Sequence, residues 1–202
     1  MKIICIGRNY AEHAKELDNP IPQTPIFFMK PDVALLSDSK FYYPKFTKDL
    51  HYECEIVVKI DKTGKNISEE FAHKYYSKIT LGIDFTARDL QTECKKNGLP
   101  WEIAKSFDNS APIASKWINL NEIDFKSTHF NFYQNEKLMQ VGRTSDMIFS
   151  IDELIAYVSR YLTLKTGDLI FTGTPSGVGP VSIGDQLRGE INGENILHLN
   201  IL

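Results

Sequence analysis

HYECEIVVKI, residues 51–60, decides how the rest of the chain is read. Its alternation is that of a β-strand, with Cys54, Ile56, Val58 and Ile60 on one face and Glu53, Glu55 and Val57 on the other. The apolar face fixes the register against a core, because a slip of one residue would turn every side chain over. Glu53 and Glu55 are then neighbours on one face, rooted about 6.5 Å apart at the usual rise. Two carboxylates at that spacing repel by roughly 2.5 kcal/mol at an effective dielectric near 20, and by about 0.6 kcal/mol in open water. Two readings stand open: a solvated edge where repulsion costs little, or a cation between the acids.

A chain of 202 residues is long enough for one generous core and short for two, so one domain over 1–202 is expected. With 23 basic and 26 acidic residues the net charge is −3 and no block of like charge occurs, which suggests no nucleic-acid partner. The N-terminal run IICI is too short for a signal peptide or a membrane span, so no membrane partner and a cytoplasmic location are expected. Cys5, Cys54 and Cys94 are an odd set without CxxC spacing, which indicates neither a disulfide framework nor a zinc site. They read as small buried residues or free thiols.

Apolar or alternating runs predict strands at 2–6, 25–29, 33–36, 53–60, 78–84, 129–134, 169–173, 186–191 and 195–201. Asn192-Gly193 between the last two is a hairpin signal. Helices are predicted at 68–77, at 87–96 with Thr86 as N-cap and Gly98 past its end, and at 151–162 with a Ser150/Glu153 capping box. In the last of these, Leu154, Ile155, Val158 and Tyr161 make the apolar stripe. Residues 18–24 and 37–50 read as loops. Strands in excess with irregularly placed helices mean an α+β, β-rich fold rather than a doubly wound sheet.

The run KITLGID ends in Asp84 just before a helix, where an acid can simply stabilise the helix start. Beside Glu53 and Glu55 it can instead be a third hard oxygen ligand, a set suited to Mg²⁺, Mn²⁺ or Ca²⁺ rather than zinc. Arg88 and Gln91 follow at i and i+3 on one helix face. In GRNYAEHAKEL (7–17), His13 and Glu16 share helical i, i+3 spacing, close enough for a carboxylate to orient an imidazole. Lys105 sits among apolar and small residues in PWEIAKSFDNSAP (100–112), where its stem can snorkel or its charge can meet an anion. TGTPSGVGP (172–180) is a Gly-rich loop after a strand that lacks both Walker and dinucleotide spacings. It is a wide turn, or a set of N–H groups and Thr hydroxyls offered to a carboxylate.

In this order, GRNYAEHAKEL, FFMKP, HYECEIVVKI, GIDFTARDLQ, KNGLPWEIAKSFD, TSDMIFSIDELIAYVS and GDLIFTGTPSGVGP resemble the fumarylacetoacetate hydrolase superfamily, most closely its short single-domain acylpyruvase branch. The resemblance implies a mixed β-roll core with a few short helices, a divalent metal (Mg²⁺ or Mn²⁺) on Glu53, Glu55 and Asp84, and a homodimer. It further implies a small 2-oxo acid substrate, either an acylpyruvate hydrolysed at its C3–C4 bond or oxaloacetate losing CO₂. Both reactions run through an enolate that the metal stabilises as an electron sink. By the same resemblance His13, oriented by Glu16, is the base on a lid, and Lys105 and Gln91 line the pocket. Arg8 and Arg88 lie near the substrate, and Thr174 holds its carboxylate. Isomerases, hydratases and oxaloacetate tautomerases of the superfamily share this chemistry. A non-catalytic, metal-stabilised binding module is the reading from a different class.

Overall fold

The computed structural model describes residues 1–16, 18 and 20–202. Leu17, the last residue of GRNYAEHAKEL, and Asn19, within the expected loop 18–24, lie outside the described residues. The strands that build the two larger sheets are β1 (Ile3–Gly7), β2 (Ile26–Lys30), β3 (Lys40–Phe41), β4 (Cys54–Ile60), β5 (Tyr76–Ile83), β6 (Ile118–Asn119), β7 (His129–Gln134), β8 (Lys137–Arg143), β9 (Leu169–Phe171), β10 (Gln186–Ile191) and β11 (Glu194–Ile201). The helices are α1 (Ala11–Glu16), α2 (Glu69–Ala72), α3 (Arg88–Asn97), α4 (Glu102–Lys105) and α5 (Ile151–Tyr161).

One sheet runs β6-β5-β4-β9-β1-β2 and the other β8-β7-β10-β11-β3. Only the β1/β9 and β3/β11 pairs within them are parallel. The fold is thus α+β and β-rich, as the strand count predicts. Cys54, Ile56, Val58 and Ile60 are fully buried in the main core with Leu81, Ile83, Phe130, Phe132 and Leu154, so the register read from 51–60 holds. The other face of β4 is covered over Glu53, Glu55 and Val57, the last packed in a second core cluster with Cys5, Ala111 and Phe171, and opens to solvent only at Lys59. Glu53 and Glu55 are 6% and 1% exposed, which removes the solvated-edge reading.

Sequence and structure differ at several elements. Helix 68–77 shortens to α2 and a 3₁₀ turn at His73–Tyr75, after which Tyr76 and Ser77 already belong to β5. Pairing of Tyr76 with Ile60 takes precedence over local helix propensity there. Thr86 does not cap α3: Thr86–Ala87 pairs with Leu50–His51, and the helix starts one residue later. Gly98, at φ +64°, ends α3 as expected. In α5 the Ser150/Glu153 capping box is present, but Tyr161 is exposed and stacks on Tyr157 and Phe27 rather than joining the core. Residues 33–36 divide into a 3₁₀ turn at Asp32–Ala34 and a two-residue strand at Leu35–Leu36. Strand β8 is not read from sequence at all. It is reached through Asn135-Glu136, both at positive φ, a tight turn without the glycine that marks Asn192-Gly193. All three cysteines are free and buried. Among the described residues no helix is long and apolar enough to cross a membrane.

Candidate active site

The acidic cluster is a direct product of strand pairing. Cys54 pairs with Ile83 across β4 and β5, and one step beyond, the Asp84 N–H donates to the Glu53 carbonyl at 2.8 Å. Asp84 is therefore the cross-strand neighbour of Glu53, and Glu55 lies two residues along on the same face, opposite Gly82. A Cβ at Gly82 would meet Phe171 and Val57 within 2.9 Å, so this side of the cluster tolerates no larger residue. On the other flank β9 pairs Phe171 with Val57, which brings the Gly-rich loop beside Glu55. The Gly173 N–H donates to Glu55 Oε2 at 2.7 Å from a backbone at φ +100°, where a Cβ would strike Asn9. One oxygen from each acid lies within 4.8 Å of the others.

Cations answer two of the three acids. Lys105 Nζ donates to Glu53 Oε2 and Asp84 Oδ2, both at 2.8 Å, and Arg88 donates to Glu53 Oε1 at 2.5 Å. Lys30, at the end of β2 and 1% exposed, stands behind Asp84 with its Nζ 2.8 Å from Oδ1. The same ammonium lies against the carbonyls of Phe85, Lys105 and Ser110 and the Ser110 hydroxyl, so it is shared among more acceptors than it has hydrogens, and Oδ1 is held by charge without hydrogen-bond geometry. Among the described residues no cation pairs with Glu55. Burial, then the charges of Asp84 and Glu53, hold its carboxyl well above the usual range despite the Gly173 N–H. Burial also raises Glu53, but Lys105, Arg88 and His13 override it and the group lies well below that range. Burial would lower the Lys105 ammonium, yet Asp84 and Glu53 win and its pKa is raised.

Buried acids with one oxygen lacking a directed donor and one group lacking a counter-charge fit a hard divalent cation. Glu53, Glu55 and Asp84 are the residues that would hold it.

Every sequence-predicted site residue except Glu16 borders one cavity of about 50 Å³. His13, on α1 and buried, is held at Nδ1 by Glu16 Oε2 at 3.0 Å, and the Gly177 N–H donates to the other Glu16 oxygen at 2.9 Å. Glu16 therefore ties α1 to the Gly-rich loop as well as to the imidazole. Arg88 also donates to Gln91 Oε1 at 2.7 Å, which leaves the Gln91 amide N–H groups for the cavity. Thr174 differs from expectation in its chemistry. Its hydroxyl donates to the Cys54 carbonyl at 2.7 Å and accepts from Gln140 at 2.8 Å, so that proton is not available to a ligand.

Two contributors are missed by sequence reasoning. Lys30 resembles an exposed lysine at a strand end. Gln140 lies on the unrecognised β8, where it accepts from the Cys54 N–H between the two glutamates and donates to Thr174 and the Pro175 carbonyl.

The fumarylacetoacetate hydrolase C-terminal family model matches residues 2–200. The chain belongs to that family. It is 44% identical over 193 residues to the mitochondrial oxaloacetate tautomerase of Bos taurus, covering 95% of this chain and 87% of that protein. It is 40% identical to an oxaloacetate tautomerase of Escherichia coli K12, over 96% and 90% of the two chains. Among solved structures, fumarylpyruvate hydrolase from Pseudomonas aeruginosa with Mn²⁺ and pyruvate superimposes with a TM-score of 0.93 at 36% identity, over 100% of this chain and 89% of the other. A 5-carboxymethyl-2-hydroxymuconate delta-isomerase from Mycobacterium smegmatis gives 0.86 at 31%, over 100% and 78%. Family members are thus enzymes with hydrolase, tautomerase and isomerase names.

Proposed function

We propose that the chain, as one catalytic domain, is a divalent-metal-dependent enzyme that forms and consumes enolates of small 2-oxo acids. The observation that carries this reading is the convergence of Glu53, Glu55 and Asp84 with Lys105 and His13 on one cavity. Mg²⁺ or Mn²⁺ held by the three acids would act as a Lewis acid, drawing charge toward the C2 oxygen of the substrate.

The remaining work falls to the chain's own groups. Lys105, kept protonated by its two carboxylates, supplies positive charge to a developing oxyanion and is no base at neutral pH. Glu16 on Nδ1 selects the His13 tautomer whose Nε2 lone pair is free, which makes Nε2 the proton acceptor. The amide N–H groups of Gln91 and the backbone N–H of Thr174, which has no acceptor among the described residues, receive the substrate carboxylate. Ile26, Phe28 and Trp101 give the cavity an apolar wall.

The tautomerase names of the 40–44% identical relatives favour proton transfer at C3 of oxaloacetate as the reaction. Hydrolysis of an acylpyruvate at C3–C4 is the second reading, favoured by the buried His13 with its exposed partner Glu16 as a water-activating dyad and by the name of the Pseudomonas neighbour. Loss of CO₂ from oxaloacetate would use the same enolate and need no base. A cytoplasmic homodimer completes the proposal, and light scattering of the purified chain tests its assembly.

The deciding experiment follows oxaloacetate and its enol, acetylpyruvate and fumarylpyruvate with Mn²⁺, with Mg²⁺ and with EDTA. Metal-dependent consumption of at least one is expected. No turnover of any of them in either metal would refute the enzyme reading.

A further inference from the structure

Arg88 uses two of its three guanidinium nitrogens at the site. One terminal nitrogen donates to Glu53 Oε1 and the other to Gln91 Oε1, so the group orients both a carboxylate of the acidic cluster and the amide that faces the cavity. The third, Nε–H, is buried without an acceptor among the described residues, and His51 Nδ1 is likewise buried without a partner. Strand register makes these two side chains neighbours. Leu50 pairs with Ala87 and His51 with Thr86, and one step along the ladder the Arg88 backbone N–H donates to the Asp49 carbonyl at 2.7 Å. Asp49 and His51 therefore share a face with Thr86 and Arg88, where diagonal neighbours lie within reach of long side chains. Burial, then the charge of Arg88, lower the His51 imidazole, which agrees with a guanidinium beside the ring. Asp49 decides which ring nitrogen carries the hydrogen. Its Oδ1 lies 2.9 Å from His51 Nε2, and because a carboxylate only accepts, the bond requires the hydrogen on Nε2 and leaves Nδ1 a lone pair.

A buried donor and a buried acceptor on adjoining side chains each cost free energy until they meet. We propose that His51 is a positioning residue for Arg88: its Nδ1 lone pair takes the Arg88 Nε–H, directly or through one water, and fixes the plane of the guanidinium that holds Glu53 and Gln91. Asp49, on the half-buried outer side, sets the tautomer and so reaches the cavity through three side chains without touching it. With all three nitrogens engaged, the planar fork has one orientation, and the Gln91 amide is held with its N–H groups toward the cavity. The effect on substrate rests on the 2-oxo acid reading above, in which that amide receives the substrate carboxylate. The hydrogen bond itself rests on the fold alone.

The test has two arms. In the first, solvent exchange of the Arg88 Nε–H, assigned by its loss in Arg88→Lys, is followed by ¹⁵N-resolved NMR on the full chain in EDTA. His51→Asn keeps an acceptor near the place of Nδ1 and should keep the slow exchange of the parent, whereas His51→Phe fills the ring's volume without an acceptor and should speed exchange by about tenfold or more. Asp49→Ala, which leaves the ring in place, should speed it by a smaller factor and carries the comparison if His51→Phe does not fold. In the second arm, with oxaloacetate and Mn²⁺, His51→Phe should raise KM by about tenfold with kcat unchanged, and His51→Asn should restore it. Exchange as slow in His51→Phe and Asp49→Ala as in the parent would overturn the inference. So would an unchanged KM in His51→Phe, or equal losses in His51→Phe and His51→Asn, the mark of a packing role. A parent that turns over no 2-oxo acid would refute the activity reading instead, and the exchange rates would still decide the hydrogen bond.

Discussion

Replacing Glu55 by Gln should make the metal-free protein more stable, although it removes a buried hydrogen-bonded carboxylate. The amide oxygen of Gln can still accept the Gly173 N–H, and its N–H groups face two carboxylates. At 4.8 Å and an effective dielectric near 20, each of the contacts with Glu53 and Asp84 costs about 3.5 kcal/mol. Lost attraction to Lys105, which bridges those two acids, offsets roughly one of them. The wild type has an independent ceiling. It can bind a proton at Glu55, and holding an ordinary carboxyl protonated at pH 7 costs about 3.7 kcal/mol. Both routes give a gain of about 3 kcal/mol, or about 6–12 °C in Tm for a chain of this size. The sign with pH follows from the raised folded-state pKa of Glu55. Its contribution is fully present below the unfolded value near 4.3 and is lost as pH rises, so the advantage of Gln shrinks to about 1 kcal/mol at pH 5. Saturating Mn²⁺ should reverse the order, since the cation needs the charge. Thermal melts in EDTA at pH 5 and 7, then with Mn²⁺, read all three effects. A Glu55→Gln variant no more stable than the parent at pH 7 in EDTA, or a gap independent of pH, would refute the reasoning.

Three further outcomes are expected. His13→Ala should slow acylpyruvate hydrolysis by about 10² to 10⁴-fold while retaining much of any oxaloacetate decarboxylation, and parallel loss of both would withdraw the water-activating role. Lys105→Met should remove most turnover of every substrate the parent accepts, because the ammonium serves the charge common to all of them; steady-state kinetics that match the parent would remove it from the site. Ser150→Ala should cost about 1 kcal/mol of stability in a denaturant titration without altering metal affinity, since it breaks only the α5 capping box.

The acidic cluster is legible in sequence because strand geometry is nearly rigid. Alternation places Glu53 with Glu55, and the apolar run ending at Asp84 supplies the neighbouring strand. Lys30 is not legible, because a lysine before a proline at a strand end carries no local sign that Phe85, Lys105 and Ser110 will surround it. Gln140 is hidden with its whole strand. KLMQVGR has a polar residue and a glycine where a core-facing pattern needs apolar ones, and the polar residue is buried for its hydrogen bonds rather than its hydrophobicity. The misplacement of the α3 cap has the same origin: a Thr before a helix looks like a cap, and only the distant Leu50–His51 segment claims it for a strand. Local chemistry is readable, whereas partners brought together by topology are not.

The division of the cavity between two kinds of support has an evolutionary consequence. Glu55 lies in one of two adjoining strands in the interior of a sheet, and Glu53 and Asp84 sit one residue beyond their paired ends, so any change of backbone there disturbs the core. His13 and Glu16 hang on a six-residue helix that the Glu16 carboxylate fastens to the Gly-rich loop by accepting from the Gly177 N–H. On the proposed reading, a lineage can therefore rewrite the proton-handling group by altering a few positions near residue 13 while inheriting the anion-stabilising floor untouched. Proteins built this way diversify in what they do to a common intermediate, and one scaffold comes to carry tautomerase, hydrolase and isomerase names.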